Sequence, residues 1–209
     1  TARAAAIPQM KIVVERDRGI YDAMNKAMDS TTGRYLIFLN AGDAFHSPDT
    51  LARLAALIER HNEPGIIYGQ TDIVDSQRRR LGPRHLTAPE HLTLDSFRDG
   101  MTVCHQAFVA LRRISGPYDL TFRYSADYDW CIRCLQHSRH NIYAGDVVID
   151  YLDEGVTTAN RRKSLAERFR IMCRYYGWFS TSVRHLRFAF RFLRRRSEEK
   201  RMRRDASQR

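Results

Sequence analysis

The run Glu15-Arg-Asp-Arg-Gly-Ile-Tyr-Asp-Ala-Met-Asn-Lys26, with the apolar stretch Tyr35–Leu39 behind it, constrains the fold of this chain more than any other feature. Ile20, Met24, Ala27 and Met28 recur at helical spacing, which predicts a helix over Ile20–Asp29 buried along that face. Tyr35-Leu-Ile-Phe-Leu39 is apolar throughout, as a central strand covered on both sides must be. The stretch ends in Asn40-Ala-Gly-Asp43, a strand tip with one carboxylate and one neutral oxygen. In open α/β sheets ligands bind where strands end and helices begin, so this layout suits a phosphorylated ligand.

The rest of the chain alternates in the same way. Lys11–Glu15 reads as a short strand. Ser47-Pro48-Asp49 is a helix start, and Leu51, Leu54, Ala55 and Ile58 supply the buried face of that helix. Gly65–Val74 predicts a strand pair or one long bent strand, and Val103–Leu111 a further strand. Between them, residues 76–101 are Arg-rich and interrupted by proline, which predicts a surface excursion. A helix over Asp127–Gln136 turns Trp130, Cys131, Cys134 and Leu135 inward, Asn141–Tyr151 forms the last strand, and the pattern is helical from Ser164 on. Strands alternating with helices give an α/β fold with a mostly parallel sheet flanked by helices.

Charge divides the chain. From residue 161 to 209 there are 17 Lys/Arg against 4 Asp/Glu, a net +13, whereas residues 1–160 carry 18 against 20, a net −2. The excess basicity therefore belongs to the C-terminal segment, which divides the chain into 1–160 and a basic helical extension, 161–209. The −2 balance of the first part argues against a nucleic-acid-binding protein, which would carry a basic stripe on its folded domain. Phe179, Val183, Leu186, Phe190 and Leu193 recur at helical spacing among arginines, a pattern suited to an anionic membrane surface, to a partner protein or to a solvated end. No run of about 20 apolar residues exists to span a bilayer. Thr1–Ala6, followed by Pro8, does not resemble a secretory signal, and four cysteines suit buried thiols in a reducing compartment. The expectation is a cytoplasmic protein, peripheral on the inner face of the plasma membrane.

The run E-x-D-x-G-I-Y-D-A-M-N-K, followed by F-L-N-x-G-D, resembles family 2 glycosyltransferases of the GT-A fold, in particular bacterial polysaccharide-assembly enzymes. In that family a first βαβ unit precedes the E-x-D-x-G run, whereas ten residues precede Lys11 here, so the resemblance implies an N-terminally incomplete domain. It also implies transfer of a sugar, with inversion, from a nucleotide-sugar to a saccharide or lipid-linked acceptor. A catalytically silent remnant that kept the acceptor half is the rival within the family.

The resemblance assigns roles residue by residue. Asp17, Arg18, Gly19, Asp22, Asn25, Lys26 and Asn40 line the donor pocket, Lys26 or Arg18 facing phosphate, Asp22 a sugar hydroxyl, and Gly19 allowing close backbone approach. Asp22 and Lys26, one turn apart, equally form an ordinary i,i+4 ion pair. Asp43 with Asn40 is the expected site for Mn²⁺ or Mg²⁺, hard ions that let substrate phosphates complete their shell. Ser125-Ala-Asp127-Tyr-Asp129 aligns with the family's E-D-x-D segment and makes Asp127 the general base, although acids in a first helical turn are also favoured by the dipole. Ala126 stands where many relatives carry Glu. Asp129 and His105, the latter within an H-Q pair, are expected near the acceptor or behind the base. Gly155-Val-Thr157 resembles a late phosphate loop, with Glu154 in place of its first glycine. Cys131, Cys134, His137 and His140 lie at steps of three, which on one helix drift apart and cannot converge on zinc.

Overall fold

A computed structural model describes residues 10–153 and 161–186. Six strands, β1 (Tyr35–Leu36), β2 (Ala44–Phe45), β3 (Ile66–Val74), β4 (Arg80–Pro83), β5 (Phe108–Leu111) and β6 (Asn141–Leu152), form one sheet in the order β1-β5-β3-β6-β2, with β4 continuing the β5 side of β3. Helices α1 (Ile20–Asp29), α2 (Thr50–Arg60), α3 (Ala126–His137) and α4 (Arg161–Tyr176) pack around it, and the chain is helical again over 178–186.

The long strand β3 is the axis of the fold. Its side chains alternate between two cores: Ile66 and Tyr68 join a cluster with α1 and α3, and Ile67 joins one with Leu54 of α2. All three are fully buried, which is why the stretch reads as continuously apolar.

The sheet is mixed rather than mostly parallel. Only β3 and β6 run parallel; β1–β5, β5–β3, β4–β3 and β2–β6 are antiparallel. Tyr35–Leu39 is not a central strand either. Two of its residues pair, at the edge of the sheet and with β5 alone, and Leu39 is 42% exposed. Lys11–Glu15 forms no strand, because a strand exists only against a ladder partner; Ile12, Val13 and Val14 are all exposed.

The helices differ from their expected faces by a few positions. On α1 the buried residues are Tyr21, Asp22, Met24 and Met28, while Ile20 and Ala27 lie outside. On α2 Leu54 is buried and Ile58 half-buried, but Leu51 and Ala55 are exposed. Residues 76–101 are a cover over the core and not a mere surface excursion. Ala88, Leu92, Phe97 and Met101 are buried, and the Tyr68 hydroxyl accepts from the Leu92 N–H at 3.0 Å while donating toward the carbonyls of Pro89 and Glu90.

The C-terminal segment packs into the same core. Ile171 and Met172 of α4 are buried in the cluster that holds Trp130 and Ile132.

Candidate active site

Three segments meet around α3. The first is the turn that carries Asp43. Its N–H donates to Asn40 O at 3.1 Å, closing Asn40-Ala-Gly-Asp, and Gly42 adopts φ +97 with Leu152 Cδ2 only 2.7 Å from where a Cβ would stand. A side chain at position 42 would be strained by that φ and would have to displace the tip of Leu152. Asp43 Oδ1 accepts from the Leu152 N–H (3.0 Å) and Oδ2 from Gln106 Nε2 (2.7 Å). Half-burial raises the Asp43 carboxyl above its ordinary range, against the lowering effect of those two donors.

The second segment is α3. Asp127 sits half-buried in its first turn, where Oδ1 accepts from the Tyr21 hydroxyl at 3.0 Å and from the Tyr128 N–H at 2.9 Å. Both described bonds fall on Oδ1, so Oδ2 is the oxygen left to receive a proton. Tyr21 comes from the I-Y-D motif, so the two motif-bearing helices meet at the candidate base. Burial, with Asp127 beside it, pushes the Tyr21 phenol far above its usual value and keeps it a donor.

The third segment is the H-Q pair, the hub of the site. Gln106 reaches Asp43, and its carbonyl oxygen accepts from Cys104 Sγ at 3.0 Å. His105 Nε2 lies 2.7 Å from the Tyr118 hydroxyl, and its ring stacks on Phe38 at 5.3 Å. Tyr118 in turn stacks on Tyr21 and on Trp130. A continuous set of contacts thus joins the Asp43 turn to the Asp127 helix. Burial lowers the His105 pKa and favours the neutral ring. His105 is therefore enclosed among aromatic rings instead of standing open to an acceptor.

The residues of the first motif are brought together, with their polar groups largely turned on one another. Asp17 Oδ1 accepts from the Gly19 N–H at 2.9 Å in an Asx-type turn. Gly19 has φ +134 and nothing within 4 Å of a Cβ, so its need is conformational and not one of close approach. Asp22 accepts from the backbone (2.9 Å) and guanidinium (3.0 Å) of Arg18, and lies 3.8 Å from Lys26 Nζ. The Arg18 hydrogen bond holds the Asp22 carboxyl below its ordinary range. Lys26 also bonds Arg16 O and Glu15. Asn25 brackets one peptide: its Oδ1 accepts from the Tyr118 N–H at 2.7 Å and its Nδ2 donates to Tyr118 O at 3.1 Å. Both of its polar groups are thereby committed to holding Tyr118.

Asp129 is fully buried and faces away from Asp127. It pairs with Arg133 (2.8 Å) and Arg174 (3.4 Å) and accepts from the Tyr175 hydroxyl (2.8 Å), which clamps α4 to α3. It has no open path to an acceptor. Glu167 of α4 accepts the N–H groups of Arg123 and Tyr124 just ahead of α3, at 2.9 and 2.7 Å. Tyr21, Gln106, Tyr118 and Glu167 were not singled out from sequence. The first two lie inside or next to the motifs, which was the available signal; the others carry none.

Metal-capable groups collect in a second place. His46, Asp72 and Asp150, from three adjacent strand segments, offer ligand atoms within 4.8 Å of one another. His46 Nδ1 lies 2.7 Å from Asp150 Oδ1, and Asp72 is already held by Arg80 through two nitrogens, at 2.5 and 3.0 Å. Each oxygen of Asp43 accepts one hydrogen bond and keeps a lone pair. Cys131 and Cys134 are buried thiols, the second pushed up to about 12 by burial and bonded to Ser115. A cleft of about 1020 Å³ lined by Arg113, Arg133, His137 and Arg139 opens toward the C-terminal end of α3, whereas Asp127 is in its first turn. Glu154, Gly155 and Thr157 lie outside the described residues.

The chain is 37% identical over 132 residues to a PGL/p-HBAD biosynthesis glycosyltransferase of Mycobacterium bovis, covering 61% of this chain and 48% of the relative. It is 30% identical over 123 residues to an uncharacterized glycosyltransferase of Mycobacterium tuberculosis, covering 57% and 45%. The chain thus spans about half the length of the curated relatives it matches. Among solved structures it is similar in fold to S. aureus TarS 1–349, with TM-score 0.52 and 13% identity over 82% of this chain and 52% of that one. The same protein in complex with UDP-GlcNAc also matches with TM-score 0.52. Residues 3–115 match the family described as Glycosyl transferase family 2, and with a GT-A-like fold around the same motifs the chain belongs to that family.

Proposed function

We propose that the protein transfers a sugar, with inversion, from a nucleotide-sugar to a hydroxyl of a saccharide or lipid-linked acceptor in polysaccharide assembly, working at the cytoplasmic face of an anionic membrane. The observation that carries this reading is Asp127: a half-buried carboxylate in the first turn of α3, fixed through Oδ1 by a tyrosine of the donor motif, with Oδ2 left to take the acceptor proton. An inverting displacement needs one such base, within hydrogen-bond reach of the attacking hydroxyl. Tyr21 fixes the carboxylate's rotamer, and the Asp129–Arg174–Tyr175 clamp fixes the helix that carries it.

Asp43, with Asn40 at the head of the same turn, would hold Mn²⁺ or Mg²⁺, which supplies positive charge to a departing nucleoside diphosphate. Arg18 and Lys26, at the entrance to α1, would meet donor phosphates by exchanging their pairing with Asp22, and Asp17 and Gly19 would shape that entrance. The relatives' names place them among glycosyltransferases, and S. aureus TarS has been crystallised with UDP and with UDP-GlcNAc. Among the described residues no helix is long and apolar enough to cross a membrane.

The test is transfer from UDP-sugars to a soluble saccharide by the full-length protein with Mn²⁺ or Mg²⁺. Asp127→Asn keeps the shape of the side chain and lowers transfer by about 10² or more, with donor affinity retained. Asp43→Ala abolishes the cation-dependent reaction and, by stranding the Leu152 N–H and the Gln106 amide, costs about 1–3 kcal/mol of stability, whereas Asp43→Asn keeps an acceptor at that place and loses the reaction with the melt nearer the parental value. Parental transfer by Asp127→Asn would refute the base assignment.

A further inference from the structure

The helix over 178–186 is built inside out. At 100° per residue, Trp178, Phe179, Ser182, Val183 and Leu186 fall within one sector about 140° wide, and Ser180, Thr181, Arg184 and His185 fill the opposite one. In a helix that merely covers a core, the apolar sector faces inward. Here Trp178, Phe179 and Leu186 are 68%, 76% and 70% exposed, and the polar sector packs on the protein. Thr181 is buried, the His185 ring meets Phe169 edge-on at 5.0 Å, and Arg184 pairs with Asp99. The helix is therefore fixed in place by its polar side, while Trp178, Phe179 and Leu186 on its apolar side stay exposed and Val183 half-buried among the described residues.

Two further observations identify what covers that side. The exposed patch is a few large side chains, far fewer than the roughly 20–30 residues a side of a stable protein interface. It also belongs to the segment of net +13, and the exposed Arg170 and Arg174 of α4 line a pocket together with Trp178. Shallow apolar insertion beside excess positive charge matches an anionic lipid surface. We infer that Trp178, Phe179, Val183 and Leu186 form a membrane-docking face for anionic lipid, held rigidly to the helix that carries Asp127. The rigidity comes from α4: Glu167 holds the backbone ahead of α3, the Ser164 and Ser125 hydroxyls lie 3.1 Å apart, and Tyr175 and Arg174 reach Asp129. Docking thus sets the orientation of Asp127 to the lipid surface. The inference rests on the reading above only in that the acceptor is presented at a membrane.

The chain supplies its own reporter, since it contains two tryptophans, of which Trp130 is fully buried and Trp178 exposed. Full-length protein is titrated with vesicles of phosphatidylcholine alone and of phosphatidylcholine with phosphatidylserine, following tryptophan emission and co-sedimentation. Expected are a blue shift and binding with the anionic vesicles, both weakened by added salt. Phe179→Ser with Leu186→Ser, at exposed positions, lowers the partition constant by about tenfold or more and leaves the melt and transfer to a soluble acceptor at parental values. Equal binding to both vesicle types, an unaffected variant, or a self-associating chain that ignores vesicles would overturn the inference. Failure of soluble transfer in the parent would instead count against the proposed activity and leave the docking measurement standing.

Discussion

Asn25 separates two roles that its motif position confounds. The resemblance places it in a donor pocket, whereas in the fold both of its polar groups bind the peptide of Tyr118, a residue only 2% exposed. Asn25→Ala removes two hydrogen bonds; it costs about 1 kcal/mol for each if water takes the place of the side chain, and about 1–3 kcal/mol for each of the stranded N–H and C=O if none does. The expected loss is therefore about 2–6 kcal/mol. With a urea slope near 2 kcal/mol/M, the unfolding midpoint falls by about 1–3 M. Asn25→Asp keeps the acceptor for the Tyr118 N–H and recovers part of the loss. Urea unfolding followed by circular dichroism, with nucleotide-sugar affinity measured well below the transition, gives both readouts. A variant with the parental midpoint and weakened donor affinity would refute the argument and return Asn25 to the donor pocket.

Asp129→Asn removes a fully buried carboxylate from the half-buried Arg133 and the exposed Arg174, whose charges water can still screen, so it costs about 1–3 kcal/mol in the same urea assay; a parental midpoint would mean the clamp is not structural. His105 has a folded-state pKa depressed by burial, so the unfolded chain binds its proton more tightly, and the stability it contributes is present above its ordinary 6.5 and is lost as pH falls below that value. His105→Gln keeps a partner for Tyr118 and flattens the acid limb of a midpoint-versus-pH curve below 6.5; an unchanged limb would place the titration elsewhere.

Local features of the fold were legible in the sequence. The bounds of α1 are those of its apolar spacing, β6 extends one residue beyond the expected Asn141–Tyr151, and the inward row of α3, Trp130, Cys131, Cys134 and Leu135, is as its periodicity requires. What failed depended on partners distant in sequence. Lys11–Glu15 has strand composition and no ladder to join, and Tyr35–Leu39 has the composition of a central strand but pairs two residues at an edge. Strand direction follows from which segments become neighbours, and neither composition nor spacing records that. The site divides in the same way. Asp43 and Asp127 stand on recognisable local motifs, whereas Asp129 is indistinguishable by sequence from any other first-turn acid until Arg174 and Tyr175 arrive from 45 residues or more away. The i,i+4 ion pair between Asp22 and Lys26 was visible from spacing alone, and at 3.8 Å it is present.

The pairing of β2 has a consequence for the order in which this molecule assembles. Ala44–Phe45 has a single partner strand, β6, whose first residue is Asn141, and Asp43 takes one of its two hydrogen bonds from Leu152 at the far end of that strand. The pairings β1–β5, β5–β3 and β3–β4 all lie within the first 111 residues and close without it. Contacts between segments about a hundred residues apart carry the largest loop-closure cost and form late. During synthesis the Asn40–Asp43 turn therefore waits, without its sheet partner, until residue 152 has emerged, and the carboxylate reaches its final geometry only once the last strand has docked.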